Sequence, residues 1–318
     1  MTPEPAVVTS GLSKSYRIGF LARRRRVALE PLDLTVGRGE IFGYLGPNGS
    51  GKTTTLKILM GLMSADSGTA SILGTPLADR SWTRRVGFLP EHPYLYDYLT
   101  AEEYLEYSGR LFGMPRFLRK ERIRELLERV GLLRSAGLSL RRFSKGMVQR
   151  AGLAQALIND PELVLLDEPM SGLDPLGRRL VRNIILELKE QGKTVFFSTH
   201  ILSDAETLCD RVALLRSGRL VAVGGLQEIL KVDVAHLEVL VTGVDEHTVS
   251  QFPTQVRFKP VGERLCLEVP EAALGVIITA VEGAGGRILA VQPVRQSLEE
   301  YFVREMGLGQ EEPWTLQD

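Results

Sequence analysis

Residues 46–53, GPNGSGKT, limit the possible folds more than any other part of this 318-residue chain. They fit the pattern Gly-x-x-x-x-Gly-Lys-[Ser/Thr] and lie between an apolar segment, EIFGYL, and a helix-like segment, TTLKILMGL. In that context the glycines let backbone N–H groups turn toward phosphate oxygens, and the helix N-terminus adds its positive dipole end. Lys52 is expected to reach the β- and γ-phosphates of a nucleotide, and the Thr53 hydroxyl is expected to ligate Mg²⁺.

Apolar strands and helices alternate through the rest of the first 225 residues. Residues 31–45 are predicted to form two strands split by a Gly-Arg-Gly turn, and the strand-like segments ELVLLDEP and KTVFFST flank a helix. Strands of this kind predict a parallel sheet that is buried on both faces. Residues 98–160 have a helical pattern that opens with a capping box at Thr100 and Glu103.

Two carboxylates follow one of these apolar strands. The segment LVLLDEP places Asp167 at the strand end, where its carboxylate is expected to hold Mg²⁺ directly or through water. Glu168 is expected to point to the opposite side of the chain, free to orient and polarise an attacking water. A solvated acid is the structural alternative for Glu168. Together with the phosphate loop, Asp167 and Glu168 predict a nucleoside triphosphatase.

Composition and charge narrow the class of protein. The 39 Lys and Arg residues balance the 39 Asp and Glu residues, so no nucleic acid partner is predicted. Cys209 and Cys266 lack metal-like spacing and are expected to be buried thiols in a reducing compartment. Neither a signal peptide nor a membrane-spanning run is recognised, which predicts a cytoplasmic protein that reaches a membrane only through a partner.

Taken in order, these motifs resemble those of the ATP-binding subunit of ABC transporters over about the first 225 residues. The resemblance implies an ATPase with bound ATP and Mg²⁺, in which SGLD supplies Asp174, STH supplies a γ-phosphate contact at His200, and SYR supplies an adenine-stacking ring at Tyr16. Catalytic roles are expected for Glu168, His200 and Lys52. The expected nucleotide-binding loop comprises Gly46, Pro47, Asn48, Gly49, Ser50, Gly51, Lys52, Thr53 and Thr54. Asp174 also suits the N-cap of a helix that begins at Pro175.

The segment FSKGM occupies the place of the family's second recognition sequence. Ser144 is expected to cap a helix starting near Lys145, and the resemblance implies that Ser144 and Gly146 receive the γ-phosphate of ATP held by a second subunit. Lys145 and Met147 depart from the usual Gly and Gln. A plain capped helix is the alternative interpretation.

Glu91 stands where the family commonly has a Gln near the metal and the transport partner. It is expected to ligate the metal region with added negative charge, beside Thr53 and Asp167. The pattern LPE…LT…EYL around Glu91 and the segment SLEEYF near the C-terminus resemble sequences of the ATPases that serve exporters with separate permease subunits. The implied partners are a membrane permease and a second ATPase subunit, in a homodimer, with the chain peripheral on the cytoplasmic face of the membrane.

The predicted fold class is α/β: a P-loop NTPase core with an antiparallel β-subdomain and a helical insert, plus a small α+β C-terminal domain. The predicted domains are an ATPase domain at 1–225 and an accessory or regulatory domain at 226–318. The arginine run at 23–26 is expected to be a solvated loop between two strands. A soluble ABC-type ATPase of translation or DNA repair, an importer ATPase and a monomeric P-loop kinase are the alternative functions.

Overall fold

The computed structural model describes residues 4–18, 24–229, 234–254, 256–262, 264–295 and 298. Contacts divide the chain into two compact units, Met1–Leu226 and Gln227–Asp318. Within the described ranges, no helix has the length and apolar character needed to cross a bilayer.

The first unit opens with an antiparallel sheet. The long strands β1 (Val7–Ile18) and β2 (Arg24–Val36) pair with each other, and the sheet continues through β4 (Ser67–Ile72) and β5 (Thr75–Pro76) in the order β2-β1-β4-β5. β2 begins at Arg24, so residues 24–26 belong to a strand and the expectation of a solvated loop is wrong for them; Arg23 lies outside the described residues.

A six-stranded sheet forms the centre of this unit. Its strands are β3 (Ile41–Leu45), β6 (Val86–Leu89), β7 (Leu163–Asp167), β8 (Thr194–Thr199), β9 (Arg211–Arg216) and β10 (Arg219–Gly225), in the order β10-β9-β3-β8-β7-β6. All neighbours are parallel except β10, which is an antiparallel edge strand. Along β7, Val164 and Leu166 enter one core cluster while Leu163 and Leu165 enter another. The predicted parallel sheet buried on both faces is therefore confirmed.

Helices complete both sides of the central sheet. Helix α1 (Lys52–Leu59) follows β3, whereas α2 (Ala101–Leu111), α3 (Arg116–Arg129) and α4 (Lys145–Ala156) form the helical insert; α5 (Pro175–Glu190) and α6 (Leu202–Leu208) follow. The capping box that opens α2 is confirmed, because Thr100 Oγ1 accepts from Glu103 N–H at 3.1 Å and Glu103 Oε2 accepts from Thr100 N–H at 2.8 Å.

The short helix α7 (Leu226–Ile229) leads into the second unit. There β11 (Val234–Thr242), β12 (Arg257–Val261), β13 (Arg264–Val269) and β14 (Arg287–Arg295) form an antiparallel sheet in the order β12-β13-β11-β14. Helices α8 (Glu246–Ser250) and α9 (Leu274–Gly283) accompany it, and Val239, Leu267 and Ile277 are central to the buried core. Of the SLEEYF segment, only Leu298 belongs to the described residues.

Candidate active site

The carboxyl ends of four parallel strands meet at one edge of the central sheet. Residues 46–51 follow β3, Asp167 ends β7, His200 follows β8 and Glu91 lies just beyond β6. Such an edge is where open α/β sheets bind ligands. A cleft of about 460 Å³ lies there, lined by Tyr16, Arg26, Ala28, Asn48, Gly49, Ser50, Gly51, Lys52, Thr53, Thr54, Glu91 and Glu168.

The phosphate loop is held tightly against its surroundings. Gly51 has φ 109°, and a Cβ at this position would lie 2.4 Å from the Ala28 carbonyl oxygen, so the backbone path requires glycine. Helix α1 starts at the next residue, and Gly51 offers its first N–H groups no side-chain cap. The Ser50 hydroxyl is buried and has no hydrogen-bond partner among the described residues. The loop therefore presents backbone and hydroxyl donors suited to an anion.

Lys52 is a buried cation at the base of the loop. Its Nζ donates to the carbonyl oxygens of Gly46 at 2.7 Å and Pro47 at 3.3 Å, and lies 3.4 Å from Glu168 Oε1. Gly46 and Pro47 thus contact Lys52 rather than line the cleft. Only 5% of Lys52 is exposed, so its charge acts in a poorly screened environment.

Glu168 has an unusual backbone that buried side chains hold from two directions. Its φ is +48°, which is strained for a non-glycine residue. The Glu168 N–H donates to Ser198 Oγ at 3.0 Å, and Gln149 Nε2 donates to the Glu168 carbonyl oxygen at 3.4 Å. The carboxylate has a partner of its own, because Oε2 lies 3.0 Å from His200 Nδ1. This contact fixes where the acid points.

Burial and hydrogen bonding shift two pKa values at this edge in the same direction. The hydrogen bond to Glu168 raises the pKa of His200 above its usual value, against a smaller opposing effect of burial. Burial raises the pKa of Asp167, although hydrogen bonds with Ser198 and Thr53 pull it partly back. Because Ser198 Oγ donates to Asp167 Oδ1 at 2.6 Å and accepts from Glu168 N–H, one hydroxyl orders both acids.

The oxygen groups here suit Mg²⁺. Asp167 is 1% exposed, its carboxylate interacts with the Thr53 hydroxyl, and Glu91 lines the same cleft. In the part of the chain that the structure describes, no group of three or more His, Cys, Asp or Glu side chains forms a closed metal site. Mg²⁺ commonly takes only one or two carboxylates and completes its shell with phosphates and water, so this donor set fits it.

Tyr16 lies on β1 at the side of the cleft. Its hydroxyl is 3.2 Å from Thr54 Oγ1 and donates to Met63 Sδ at 3.2 Å. The ring is half-buried, which suits both packing and contact with a flat ligand.

Ser144, Gly146 and Asp174 lie outside the lining of this cleft. Ser144 caps α4 by accepting from Met147 N–H at 3.3 Å, and Asp174 caps α5 by accepting from Gly177 N–H at 2.8 Å. Both capping predictions are confirmed. A Cβ on Gly146 would lie 3.2 Å from Leu173 Cδ2, so the start of α4 packs on the loop that precedes Asp174.

Three residues near the cleft were not singled out from sequence. Arg26 lines the cleft. The arginine run marks it as a charged residue, but the sequence does not reveal that Arg26 pairs with Tyr16 in the β1–β2 ladder. Ser198 stands in the segment STH, immediately before two motif residues. Gln149 reaches Glu168 only through tertiary packing of α4, which local sequence does not reveal.

Comparisons with known proteins find relatives of the chain among ABC transporter ATP-binding proteins. Residues 29–171 match the family described as ABC transporter. An uncharacterised ABC transporter ATP-binding protein of Synechocystis is 45% identical over 94% of this chain and 84% of its own length. A Nod factor export ATP-binding protein I of Mesorhizobium japonicum is 35% identical over 96% of this chain and 88% of its length.

Solved structures show the same fold. An ATP-binding subunit of an ABC transporter, 36% identical, has a TM-score of 0.63 over 70% of this chain and 91% of its own. The ATP-binding cassette MJ0796, a dimer in a post-hydrolysis state bound to ADP and Pi, is 29% identical, with a TM-score of 0.64 over 69% of this chain and 98% of its own. The predicted α/β fold class is confirmed.

Proposed function

The chain belongs to the ABC transporter ATP-binding proteins, and from this premise we propose that it is the ATPase of an exporter whose permease is a separate chain. Membership in this family shows that the chain is an ATP-binding ATPase subunit of an ABC transporter. The direction of transport, the permease and the role of each residue are the proposal. The observation that carries the residue roles is the cleft in which Lys52 and Glu168 meet at the edge of the central sheet, with His200 held by Glu168.

Phosphoryl transfer depends mainly on positioning and charge stabilisation. In the proposal, residues 46–54 hold the phosphates, Lys52 offsets charge on them, and Tyr16 stacks on adenine. Glu168 orients the attacking water, since its carboxylate is fixed by His200. His200 then donates a hydrogen bond to the γ-phosphate, which its raised pKa favours.

Thr53 and Asp167 would hold Mg²⁺, with Glu91 toward the metal region. When bound, the ion supplies neutralisation of phosphate charge. Ser198 keeps the Asp167 carboxylate in place by donating to Oδ1 at 2.6 Å. Because Asp167 is buried, a carboxylate in another orientation would have few alternative hydrogen-bond partners, so the contact with Ser198 fixes its direction.

The active state in this proposal is a homodimer in which each ATP is enclosed by two chains. Residues 46–54 of one chain face Ser144 and Gly146 of the other, while Asp174 lies on the loop beside that helix start. The start of α4 carries a positive dipole end, and the exposed Lys145 adds positive charge there. This arrangement would explain why the Ser144 region is not among the residues that line its own chain's cleft.

Mixing two inactive variants tests the shared site. Lys52→Ala and Ser144→Arg should each strongly lower steady-state ATPase activity, yet their heterodimer retains one site with an intact Lys52 and an intact Ser144. Activity should therefore return on mixing. Lys52→Ala mixed with Glu168→Gln is the matched control, because both changes damage the cleft half and no intact site forms. Equal activity of the two mixtures in verified heterodimers contradicts the shared site.

The proposed permease contact is a groove of about 380 Å³ between the core and the helical insert, next to Glu91. Aromatic and apolar residues dominate its lining, including Phe88, Tyr94, Leu95, Tyr104 and Phe112. Tyr94 is 95% exposed, and Tyr96, two residues further along the chain, packs on Tyr107 at 5.6 Å between ring centroids. Exposed aromatic clusters are typical of interaction surfaces.

Copurification from detergent-solubilised membranes tests this contact. Tyr94→Ser should lose the permease while ATP binding stays intact, whereas Leu186→Ser on the surface of α5 should retain it. Retention of the same membrane protein by Tyr94→Ser would exclude this groove as the main contact.

Export is supported by the Nod factor export relatives, which align over most of this chain. Inside-out membrane vesicles containing the chain and its permease test the direction. Vesicles are incubated in cell extract with ATP, and their contents are compared by mass spectrometry with those of Glu168→Gln vesicles. A compound that accumulates only with the active chain supports export. A compound that is depleted from preloaded vesicles indicates import.

A further inference from the structure

Arg26 occupies a defined place beside Tyr16. The two residues are partners in the β1–β2 ladder, and both line the cleft. Arg25 is not among the lining residues; its Nη2 lies 3.8 Å from Asp66 Oδ2. Since successive side chains of a strand point to opposite faces, adjacent arginines are directed to different surroundings. Of Arg25 and Arg26, the one that faces the nucleotide site is Arg26.

The guanidinium of Arg26 overhangs the phosphate loop. A Cβ built on Gly49 would lie 3.5 Å from Arg26 Nη2, and Gly49 has φ 77°. A glycine at this position therefore leaves open the space between the guanidinium and the loop backbone. This places the cation over the part of the loop where phosphate oxygens are expected.

Arg26 differs from Lys52 in how its charge is engaged. Lys52 is buried and already bonded to loop carbonyls. Arg26 is exposed, and its side chain has no hydrogen bond or ion pair with the residues that the structure describes. A guanidinium is weakly hydrated and presents paired N–H donors that match phosphate oxygens.

We propose that Arg26 binds the polyphosphate of ATP and sets the affinity of the cleft for the nucleotide, without acting in the chemical step. The proposal rests on ATP binding in the cleft that contains residues 46–54. It adds a second cation, supplied by the antiparallel sheet, to the one supplied by the loop itself.

Equilibrium binding of ATP to Arg26→Gln tests the inference. Losing a hydrogen bond from a charged group should weaken ATP binding about tenfold, with kcat at saturating ATP nearly unchanged. Arg25→Gln is the matched control, because it removes the same charge one residue away and should leave the ATP affinity unchanged. Arg26→Lys should fall between, since it keeps the charge and loses the fork. The affinity of Arg26→Gln should also depend less steeply on salt.

Four results would overturn it. Arg26→Gln could bind ATP as tightly as the unmodified chain. Both variants could lose affinity equally, which would indicate a general effect of charge. Affinity for AMP could fall as much as affinity for ATP, which would place the contact on the nucleoside side. A fall in kcat at unchanged affinity would instead indicate a role in the chemical step. Lys52→Ala serves as a reference: if it also binds ATP normally, the assignment of the cleft itself fails.

Discussion

Helices α1 and α4 of the first unit both begin at sites suited to anions, but the two helix starts differ in capping and exposure. At α1, Gly51 offers no side-chain cap, and buried side chains surround the first turn. At α4, the Ser144 hydroxyl already accepts from Met147 N–H, and Ser144 and Lys145 are exposed. The first start is enclosed within its own chain, whereas the second is capped and open to a neighbour.

In the proposed dimer, this contrast means that one chain carries two unequal halves of a shared site. An uncapped helix start with a nearby buried Lys52 is prepared for phosphate before any partner arrives. A capped, exposed start has no enclosing walls of its own, so its attraction for an anion is screened by water until another surface covers it. Changes at the two starts should therefore affect different measured quantities.

The largest effect is expected at α1. Lys52→Ala should lower the ATPase rate by about a hundredfold or more, because a buried cation is removed from the charge that develops in the transition state. ATP binding should weaken in the isolated chain as well. Phosphate release and equilibrium binding measure the two effects. Lys57→Ala, at the exposed last turn of the same helix, is the control and should be normal in both assays.

Removing the fixed acid should separate binding from hydrolysis. Glu168→Gln should lower kcat by about a hundredfold or more while ATP still binds, because the amide cannot accept a proton from water. The ATP-loaded variant should accumulate as a dimer in light-scattering chromatography. Glu190→Gln on the surface of α5 should hydrolyse ATP normally. A monomeric Glu168→Gln protein saturated with ATP would contradict the dimer model.

A charge placed at α4 should affect hydrolysis without affecting binding to the single chain. Ser144→Arg should reduce steady-state turnover at least about tenfold, since its bulk blocks the closure that completes the site. ATP affinity in the dilute monomer should match that of the unmodified chain. If affinity in the monomer fell as it does for Lys52→Ala, the two helix starts would not be the separate halves described above.

A subtler change at α4 measures the cap itself. Ser144→Ala should reduce the free energy of unfolding by about 1 kcal/mol, because the Met147 N–H loses its acceptor. Urea denaturation gives the value, and Ser144→Asp, which can cap equally well, should restore it. Stability unchanged in Ser144→Ala would mean that water replaces the cap at no cost.

The smallest effect is expected in the pH dependence of stability. The pKa of His200 is raised above 6.5, chiefly by its hydrogen bond to Glu168 and further by the charges of Glu168 and Glu91, against Lys52 and burial. A raised folded-state pKa stabilises the fold fully below 6.5, and that stability is lost as pH rises through the folded value. The melting temperature of the unmodified chain minus that of His200→Gln should therefore decline from acidic to alkaline pH. A difference that grows with pH would refute the His200–Glu168 pair.

Local patterns predicted the parts of the site that depend on local geometry. Three features can each be recognised within about ten residues of chain: the glycine spacing of residues 46–53, the apolar strand before Asp167 and the Thr100 capping box. Parallel strands then bring their ends to one edge, which explains why Glu91 and Glu168 line one cleft.

The remainder depended on packing between distant segments. The position of Arg26 requires the register of β1 against β2, and a run of like charges contains no apolar alternation from which to read that register. The left-handed backbone of Glu168 is held by Ser198 and Gln149, which lie on a different strand and a different helix. Such contacts appear only after folding has brought the elements together.

Cys266 is buried in its unit, whereas Cys209 is partly exposed, so the expectation of a buried thiol is wrong for Cys209. Cys209 Sγ would lie 2.6 Å from a Cβ on Gly43, and burial raises the pKa of this thiol well above its usual value. Cys266 is 6% exposed, and its thiol pKa is also raised, chiefly by burial. Thiolates are the reactive form, so both native thiols should react slowly with maleimides and cross-linkers. A single cysteine introduced at Ser144 or Gly49 can therefore be labelled without first replacing the native cysteines, so that distances between the two subunits of the proposed dimer can be measured.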